Sequence, residues 1–560
     1  MLKIYITISA GDFNLSTKPN FVLILADDMG FSDLGCFGSE INTPNIDSLA
    51  KNGIRFSQMY NSARCCPSRA SLLSGLHPQQ TGVGHMVSTL DPKDQAEFPA
   101  YQGYLNENCA TIAEVLKGAG YTTLMSGKWH VGGGYDLLNR SSWAPGNDRH
   151  PIPTQRGFDK FFGIVSGAAN FFHPRTLMRD DELIGIDTTD FYLTDSISDN
   201  AVTMIEETKE TGKPFFIHVA YTAPHWPLHA LEEDISNYEG SYLKGWDQLR
   251  TDRHEELKGI GILDEKWEIS PRDLSSDPWE EAEERKWEDL RMAVYAAMID
   301  RMDQGVGRII KKLEDLGIDD NTVVMFLSDN GGCAEFLAED TNRPMPTQYA
   351  SPTRDGRQMK IGNRKDLRPG SDDTFMSYDL SWANASNTPF RLFKRWTHEG
   401  GISTPFIISW PRQISQPAIM HEPTHIIDIS ATIYDAANAT YPSEINGNEV
   451  KPLEGISFFE VLEGKKWVRQ DPIFWEHEGS RAMRQGEWKL VSEVGGNWEI
   501  YNMDQDRTEL TNLAKGEKVR LANMRASYKE WMERCEVEQW PIGPLEWDPK
   551  MRRPHSHRSG

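Results

Sequence analysis

Strand-sized runs of apolar residues recur along the chain, separated by stretches with helical spacing. A continuous apolar run is typical of a central strand in a parallel sheet, which is buried on both faces. Residues 21–26 read FVLILA and end in Asp27 and Asp28. Most of the later runs also lead into polar or glycine-rich residues; they occupy residues 121–125, 215–220, 322–327 and 405–410.

Helical patterns lie between these runs. Residues 111–117 are followed by Gly118, and residues 287–316 by Gly317, which is a common way for a helix to end. The alternation predicts an α/β fold with a large, mostly parallel central sheet covered by helices on both faces. In such sheets ligands bind at the carboxyl ends of the strands, so we expect polar residues that end distant strands to converge.

The pattern changes near residue 440. Residues 481–492 and 497–503 predict two strands joined by a glycine pair, and residues 515–533 predict a helix. We therefore predict four parts: an N-terminal segment at 1–18, a large α/β domain at 19–440, a C-terminal α+β subdomain with a small antiparallel sheet and a helix at 441–550, and a disordered tail at 551–560.

Two regions interrupt the alternation. Residues 231–284 are rich in charge and tryptophan and predict a solvated helical excursion. Residues 340–387 are polar and lack periodicity, and a loop of that length in a compact enzyme is often an active-site lid. Residues 91–104 match no pattern, and together with the predicted lid they are where we expect specificity to reside.

Composition restricts the partners. The 560 residues carry 83 acidic against 59 basic side chains, a net charge of -24, which argues against nucleic acid or an anionic membrane surface. No apolar stretch approaches the roughly 20 residues that span a bilayer. The six cysteines form no disulfide pattern. A short apolar run at residues 4–10 suggests a periplasmic or secreted protein; a misplaced start and a cytoplasmic location are the alternatives.

The segment Cys65-Cys66-Pro67-Ser68-Arg69 is the densest chemical signal. Pro67 suits the first turn of a helix, so we expect Cys65 just before a helix N-terminus, where N–H groups and partial positive charge favour an anion. Arg69, about one turn later, can hold charge on the same side. A structural cysteine beside a surface arginine is the alternative for any cysteine at a helix start.

Two pairs of oxygen-bearing side chains end predicted strands, Asp27 with Asp28 and Asp329 with Asn330. Carboxylate and amide oxygens suit calcium better than zinc, which prefers nitrogen and sulfur. A turn at a strand end would explain either pair alone. Two such pairs beside the cysteine segment favour a metal site.

Basic residues and histidines also follow strand-like runs. Lys128 and His130 lie after the run at 121–125, and His225 lies between prolines that favour an extended loop. Lys394 begins a basic run before Glu399-Gly400-Gly401. Taken alone, these are ordinary loop residues and a solvated basic run.

The motif Cys-x-Pro-Ser-Arg, continued by Leu73-Ser74-Gly75, resembles the signature of formylglycine-dependent sulfatases in the alkaline phosphatase-like superfamily, closest in pattern to bacterial arylsulfatases. The proline sets the register and makes Cys66 the variable position. The resemblance extends from residue 20 to about residue 513. It implies hydrolysis of sulfate esters, either aryl sulfates or sulfated carbohydrates, to an alcohol and inorganic sulfate. It also implies one divalent cation, expected to be Ca²⁺, and a formylglycine-generating enzyme as maturation partner.

The resemblance implies a role for each site residue. Formylglycine made from Cys65 is the nucleophile, and Asp329 helps to activate it. The other catalytic residues contact the sulfate, the hydrate or the leaving oxygen; they are Arg69, Lys128, His130, His225 and Lys394. The metal ligands are Asp27, Asp28, Cys65, Asp329 and Asn330. Ser166 and Asn170 are candidates for a further sulfate contact, and His229 has no assured counterpart.

Two rival functions remain open at this stage. A phosphate or phosphonate ester hydrolase of the same superfamily shares a similar nucleophile motif, and matched aryl sulfate and aryl phosphate substrates would distinguish it. A catalytically inactive sulfated-glycan binding protein would keep the pocket without the modification, so the chemical state of residue 65 would distinguish it.

The register of the motif generates a prediction. We expect Cys65→Ala to abolish turnover of an aryl sulfate, because the nucleophile is lost, whereas Cys66→Ala largely preserves it. Initial rates of the two variants with 4-nitrophenyl sulfate check this. The reverse pattern would show that the register is wrong.

Overall fold

The computed structural model describes residues 18–87, 98–133, 151–186, 188–337, 349–350, 352–540 and 542. Most of the predicted N-terminal segment and the tail at 551–560 lie outside the described residues, as do positions 91–97, 340–348 and 351 of the two predicted loops. Among the described residues, no helix has the length and apolar character needed to cross a membrane.

Nineteen strands are described, and eleven of them form one central sheet. Their bounds are β1 Asn20–Ala26, β2 Ile54–Tyr60, β3 Thr122–Lys128, β4 Lys160–Ile164, β5 Leu177–Arg179, β6 Glu182–Leu183, β7 Phe215–Ala220, β8 Thr322–Ser328, β9 Lys360–Ile361, β10 Thr374–Phe375, β11 Ser403–Ser409, β12 Ala418–Met420, β13 Thr424–His425, β14 Glu444–Ile445, β15 Asn448–Glu449, β16 Ile473–His477, β17 Ser480–Gln485, β18 Trp488–Ser492 and β19 Glu499–Asn502.

The central sheet runs in the order β12-β2-β11-β8-β1-β7-β3-β4-β5-β6, and β13 also pairs with β2. Its middle strands, from β8 through β1, β7 and β3 to β4, are all parallel. β11 is antiparallel to both of its neighbours, and β5 and β6 form an antiparallel edge. The sheet is therefore mixed but mostly parallel, which confirms the predicted fold class.

Twelve helices are described beside these strands. Their bounds are α1 Pro44–Lys51, α2 Cys65–Ser74, α3 Ile112–Gly118, α4 Leu193–Thr208, α5 Glu232–Ile235, α6 Gly245–Gly259, α7 Arg285–Asp315, α8 Asp379–Ser386, α9 Glu399–Ile402, α10 Ile427–Ala437, α11 Phe459–Leu462 and α12 Lys518–Arg534. Short 3₁₀ turns occupy Gly35–Phe37, Pro78–Thr81, Pro99–Tyr101, Pro153–Arg156, Trp279–Glu281 and Asp319–Asn321.

Alternate residues of β1 enter two separate cores. Val22 and Ile24 pack in one core with residues of α4 and α7, whereas Leu23 and Leu25 pack in the other with residues of α2, α3 and α10. Because successive side chains of a strand point to opposite faces, helices cover both faces of the sheet. This burial explains why the strand sequence is apolar at every position.

The tryptophan-rich stretch at 231–284 is not a solvated excursion. Trp246 and Trp279 are buried in the core that contains α7, and their ring centroids lie 4.7 Å apart. Trp246 also packs at 5.3 Å against Trp382 of α8, which lies far along the chain. The charged residues of this stretch obscured its buried aromatic side, which packs against α7 and α8.

The C-terminal part contains a four-stranded antiparallel sheet, β16-β17-β18-β19, packed against α12. The run predicted as one strand at 481–492 is a hairpin of β17 and β18, which turns at Gly486 with φ of 54°. The predicted helix at 515–533 appears as α12. The division of the chain near residue 440 stays a prediction.

A buried ionic network joins this sheet to the central one. Lys489 of β18 lies 2.7 Å from Glu399 and 2.8 Å from Glu509, and none of the three side chains is exposed. Glu399 also accepts a hydrogen bond from the Tyr60 hydroxyl of β2 at 3.0 Å. Buried charges persist only when they are paired in this way, so the network fixes the chain at Glu399.

Candidate active site

The cysteine segment forms the first turn of α2. Cys65 is its first helical residue, and Arg64, with extended backbone angles, caps the N-terminus without a side-chain hydrogen bond. We expected Cys65 to precede the helix, but Pro67 is tolerated at the third position because N–H groups of the first turn have no helical partner. All ten residues of α2 are buried. Residue 65 therefore lies at the helix N-terminus, where the first N–H groups have no partner within the helix.

The two strand ends meet at one edge of the sheet. Ala26 of β1 pairs with Ser328 of β8, so the residues that follow the two strands become neighbours. The Asp28 backbone N–H donates to Asp329 Oδ1 at 3.2 Å, and Asn330 Nδ2 donates to Asp28 Oδ1 at 2.7 Å. Asp27 lies beside them, and all four side chains are at most 2% exposed.

Arg69 ties α2 to this edge. Its Nε and Nη2 lie 3.0 and 2.8 Å from Asp329 Oδ2, and its Nη1 donates to the backbone carbonyl of Lys128 at 2.9 Å. Its Nη2 is also 3.5 Å from Asp27 Oδ1. The guanidinium therefore spans the ends of three strands.

Two lysines complete the cationic side. Lys128, the last residue of β3, donates to Asp27 Oδ2 at 2.6 Å. Lys394 lies 2.7 and 2.8 Å from the two oxygens of Asp28. Both ammonium groups are buried. The interpretation of residues from Lys394 onward as a solvated basic run is therefore wrong for Lys394 itself.

Burial and charge pull the carboxylate pKa values in opposite directions. Burial alone would raise the pKa of Asp28, but the charge of Lys394 lowers it to about 2. Burial raises the pKa of Asp329 well above its usual value, and the negative charge of Asp27 adds to the effect. Burial also raises the pKa of Asp27, against the opposing charge of Lys128. Additional positive charge would stabilise all three as carboxylates.

The four oxygen-bearing residues fit a divalent cation. Asp27 Oδ1 and Asn330 Oδ1 are buried and accept no hydrogen bond from the described residues. Such atoms in a protein interior need a partner, and carboxylate with amide oxygen is the donor set that hard cations prefer. Ligand atoms of Asp27, Asp28 and His225 also lie within 4.8 Å of one another. Asp329 lies beside these ligand atoms, because its Oδ1 accepts a hydrogen bond from the Asp28 backbone N–H.

His130 stands over the first turn of α2. Its Nε2 lies 3.2 Å from Cys66 Sγ, and donor atoms of Cys65, Cys66 and His130 all lie within 4.8 Å of one another. Burial lowers the pKa of His130 to about 3, so the ring is neutral near neutral pH. Cys66→Ala would remove the contact of His130 with Cys66 Sγ, and one hydrogen bond contributes about 1 kcal/mol.

His225 approaches from the opposite side. Its Nε2 lies 3.4 Å from both Asp28 Oδ2 and Lys394 Nζ, and its Nδ1 lies 2.6 Å from the backbone carbonyl of Trp226. That carbonyl requires Nδ1 to carry a proton. Burial lowers the pKa of His225 to about 4, although Asp28 opposes the shift. An anion bound opposite the ring would raise this pKa and favour the protonated form.

The position of residue 65 stabilises negative charge. A hydrogen bond from Cys66 is the largest cause that lowers the pKa of the Cys65 thiol well below its usual value, and the charges of Lys394 and Lys128 add to it. Residue 65 is present as the encoded cysteine, so its Sγ marks the position of the oxygen that the proposed modification would supply. The same surroundings would stabilise an oxyanion.

Three weaker candidates have other partners. The Ser166 hydroxyl bonds to the Ala168 carbonyl and to Thr176. The Asn170 amide bonds to the Asp372 carbonyl and to two backbone N–H groups. His229 lies between the Phe171 N–H and the Thr374 carbonyl. These bonds hold the loops around the site together.

Sequence reasoning missed two residues beside the site, Arg64 and Glu335. Arg64 Nη2 donates to Glu335 Oε1 at 3.1 Å, next to the N-terminus of α2. Glu335 lies five positions after Asn330, in the loop that follows β8. Because loops at a ligand-binding edge often carry functional residues, an acidic residue at this position could have been identified from the sequence. Only the folded chain shows that it meets Arg64.

The chain is similar to known proteins in both sequence and fold. A family model described as Sulfatase matches residues 19–439, and one described as N-sulphoglucosamine sulphohydrolase, C-terminal, matches residues 390–538. Because the first match covers well over half of the chain, the chain belongs to the sulfatase family. Relatives include an arylsulfatase and N-acetylgalactosamine-6-sulfatases, and this chain is a sulfuric ester hydrolase.

Two curated relatives cover most of the chain. An uncharacterized sulfatase of Schizosaccharomyces pombe is 34% identical over 527 residues, which cover 89% of this chain and 91% of its own. An arylsulfatase of Klebsiella aerogenes is 32% identical over 465 residues, which cover 80% and 93%. The family uses a divalent metal and formylglycine, and sulfate ester hydrolysis is its reaction.

Solved structures show the same fold. Ps i-CgsB, solved in complex with k-i-k-neocarrahexaose, has a TM-score of 0.63 at 23% identity and covers 96% of both chains. A second structure, in complex with D-glucosamine-2-N,6-O-disulfate, has a TM-score of 0.59 at 18% identity and covers 95% of this chain and 100% of its own.

The close approach of Gly167 to His130 generates a prediction. A Cβ at position 167 would lie 2.4 Å from His130 Nε2, so Gly167→Ala must displace the ring. A displacement of about 1 Å in an active site can cost about 100-fold in rate, and we expect a loss of kcat of that order. Gly185→Ala is the matched control, because no atom lies within 4 Å of its added Cβ. Equal activity of the two variants would contradict this placement of His130.

Proposed function

We propose that the chain hydrolyses sulfate esters through a formylglycine hydrate at position 65 and a covalent sulfo-enzyme intermediate. One observation carries this proposal: residue 65 begins a buried helix with its donor atom within 4.8 Å of that of His130. Maturation requires oxidation of Cys65 by a formylglycine-generating enzyme, and the signal for it is the Cys-x-Pro-Ser-Arg segment.

In the proposed reaction one hydroxyl of the hydrate attacks sulfur while the bond from sulfur to the alcohol oxygen breaks. His225 gives its proton to the departing oxygen, and Lys394, 3.4 Å from its Nε2, stabilises charge on the same oxygen. Asp329 accepts the proton of the attacking hydroxyl, and Arg69, 2.8 Å from Asp329, stabilises the negative charge on that side of the sulfate. The alcohol leaves, and the sulfate stays bound to residue 65.

The second hydroxyl of residue 65 then releases the product. His130, neutral in the buried site, accepts the proton of that hydroxyl. The carbon–oxygen bond to sulfate breaks as the aldehyde forms, so inorganic sulfate departs and a water restores the hydrate. A thiol or a serine hydroxyl could not expel sulfate in this way, since it lacks the second hydroxyl.

We further propose that Asp27, Asp28, Asp329 and Asn330, together with residue 65, hold one Ca²⁺ ion. When bound, this ion would stabilise negative charge on the nucleophile and on the sulfate oxygens. Two orphaned buried oxygens, Asp27 Oδ1 and Asn330 Oδ1, support the site. An exported location stays a prediction, because it depends on residues 4–10, which lie outside the described part of the chain.

The choice of sulfate over phosphate is tested directly with matched substrates. We expect kcat/KM for 4-nitrophenyl sulfate to exceed that for 4-nitrophenyl phosphate, because three carboxylates already offset the three buried cations and leave less positive charge for a dianionic phosphate ester than an unpaired cluster would offer. Both are measured on one preparation by release of 4-nitrophenol. A large preference for phosphate would overturn the proposed function.

Removal of the metal should lower both stability and activity. After chelation three carboxylates remain close together without the ion, so we expect the melting temperature to fall by about 5 °C and turnover to be lost, with both restored by Ca²⁺. The fall in melting temperature after chelation should be largely absent in Asp27→Asn. It should be intact in Asp315→Asn, because the Asp315 side chain is 52% exposed on α7, away from the site. Full activity after complete chelation would contradict the site.

A further inference from the structure

Three side chains form a cluster beside His225, where the proposed reaction releases its alcohol. Arg64 precedes the nucleophile, Trp226 follows the general acid, and Glu335 lies in the loop after β8. Arg64 Nη2 donates to one oxygen of Glu335 at 3.1 Å, and Trp226 Nε1 donates to the other at 2.9 Å. We call these residues the Glu335 cluster.

The cluster lies within reach of the reacting groups. The ring centroids of Trp226 and His225 are 4.5 Å apart. Burial alone would raise the pKa of Glu335, but the charges of Arg64 and then Lys394 lower it, so the carboxylate is ionised near neutral pH. The Ser377 hydroxyl donates to the Glu335 backbone carbonyl at 2.6 Å, which holds the loop against the described part of the predicted lid.

Two polar groups of the cluster have unused hydrogen-bonding capacity. Arg64 is only 8% exposed, yet its Nη1 donates to no acceptor among the described residues. An unsatisfied buried donor destabilises the fold, so it marks a place where an acceptor from outside would be stabilised. The Glu335 side chain is 25% exposed, and each carboxylate oxygen can accept a second hydrogen bond.

We propose that the Glu335 cluster binds a hydroxyl-bearing leaving group, so that the substrate is a sulfated carbohydrate. One sugar hydroxyl donates to Glu335, a neighbouring sugar oxygen accepts from Arg64 Nη1, and the Trp226 edge contacts the apolar part of the ring. This inference rests on the proposed function, because it identifies the leaving group of that reaction.

The chemistry of the cluster discriminates against two other kinds of substrate. A simple aryl leaving group carries no hydroxyl, so it leaves the fixed donor and acceptor unmatched, and sites of this kind reject analogues that lack the polar group. A second sulfate on the side of Glu335 would face an ionised carboxylate. The cluster thus favours a sugar that presents free hydroxyl groups beside its single reacting sulfate.

The test compares two substrate types on variants of the converted protein. The substrates are 4-nitrophenyl sulfate and a panel of methyl galactosides and glucosides, each carrying one sulfate at a different position. For Glu335→Gln we expect kcat/KM on the preferred sugar sulfate to fall at least about 10-fold more than on 4-nitrophenyl sulfate, mainly through KM. Glu232→Gln is the control, because Glu232 forms an exposed ion pair with Arg368.

Several outcomes would overturn the inference. An equal loss on both substrate types would show that Glu335 acts on the common chemistry, and hydrolysis of 4-nitrophenyl sulfate with none of the panel would exclude a sugar subsite. If Glu335→Gln does not fold, Arg64→Gln removes the unmatched donor and carries the same comparison. Hydrolysis of neither substrate type by converted protein would contradict the proposed function itself.

Discussion

Neutralisation of buried carboxylates at the ends of β1 and β8 is the constraint on which the rest of the site depends. Asp27, Asp28 and Asp329 lie together away from water, and taking ionised groups out of water costs several kcal/mol each unless they are paired. Lys128, Lys394 and Arg69 supply three compensating charges from three different elements. The site can form only where the fold brings all of these elements to one edge.

The order of the sheet meets this requirement. Parallel pairing of β1 with β8 and β7, and of β7 with β3, places the ends of β8, β1 and β3 at one edge of the sheet, with β7 between β1 and β3. α2 begins at the same edge and carries both Cys65, the proposed nucleophile, and Arg69. The three cations that balance the carboxylates are also those that the proposed reaction needs around a sulfate group, so stability and catalysis use the same charges.

The loop that carries Lys394 is held by an unusual backbone. Arg395 has a φ of 89°, in the left-handed region that side chains other than glycine rarely adopt. A Cβ at Gly400 would lie 2.2 Å from the Leu392 carbonyl, and one at Gly401 would lie 2.1 Å from the Trp396 carbonyl. The glycine pair therefore lets this loop fold tightly onto α9. Glu399 anchors α9 through Lys489, so the C-terminal sheet helps to position an active-site lysine.

The strand ends were predictable from sequence, because an apolar run that stops at acidic residues identifies both a strand and the end of that strand at which ligands bind. Cys65 was predictable as a candidate nucleophile, although its place inside the first turn of α2 was not. Two features could not be derived from the sequence: the contact between His130 and Cys66, and the Glu335 cluster. Each of them joins segments that lie far apart along the chain. The buried tryptophans at 246 and 279 were misread because charged neighbours lowered the apparent hydrophobicity of their stretch.

The proposed mechanism depends most on the chemical state of residue 65. Mass spectrometry of the tryptic peptide that contains this residue, taken from protein with measured sulfatase activity, tests it most directly. We predict a peptide about 18 Da lighter than the cysteine form, as expected for formylglycine, in an amount that matches the active fraction. A fully active preparation in which residue 65 is an unmodified thiol would contradict the account.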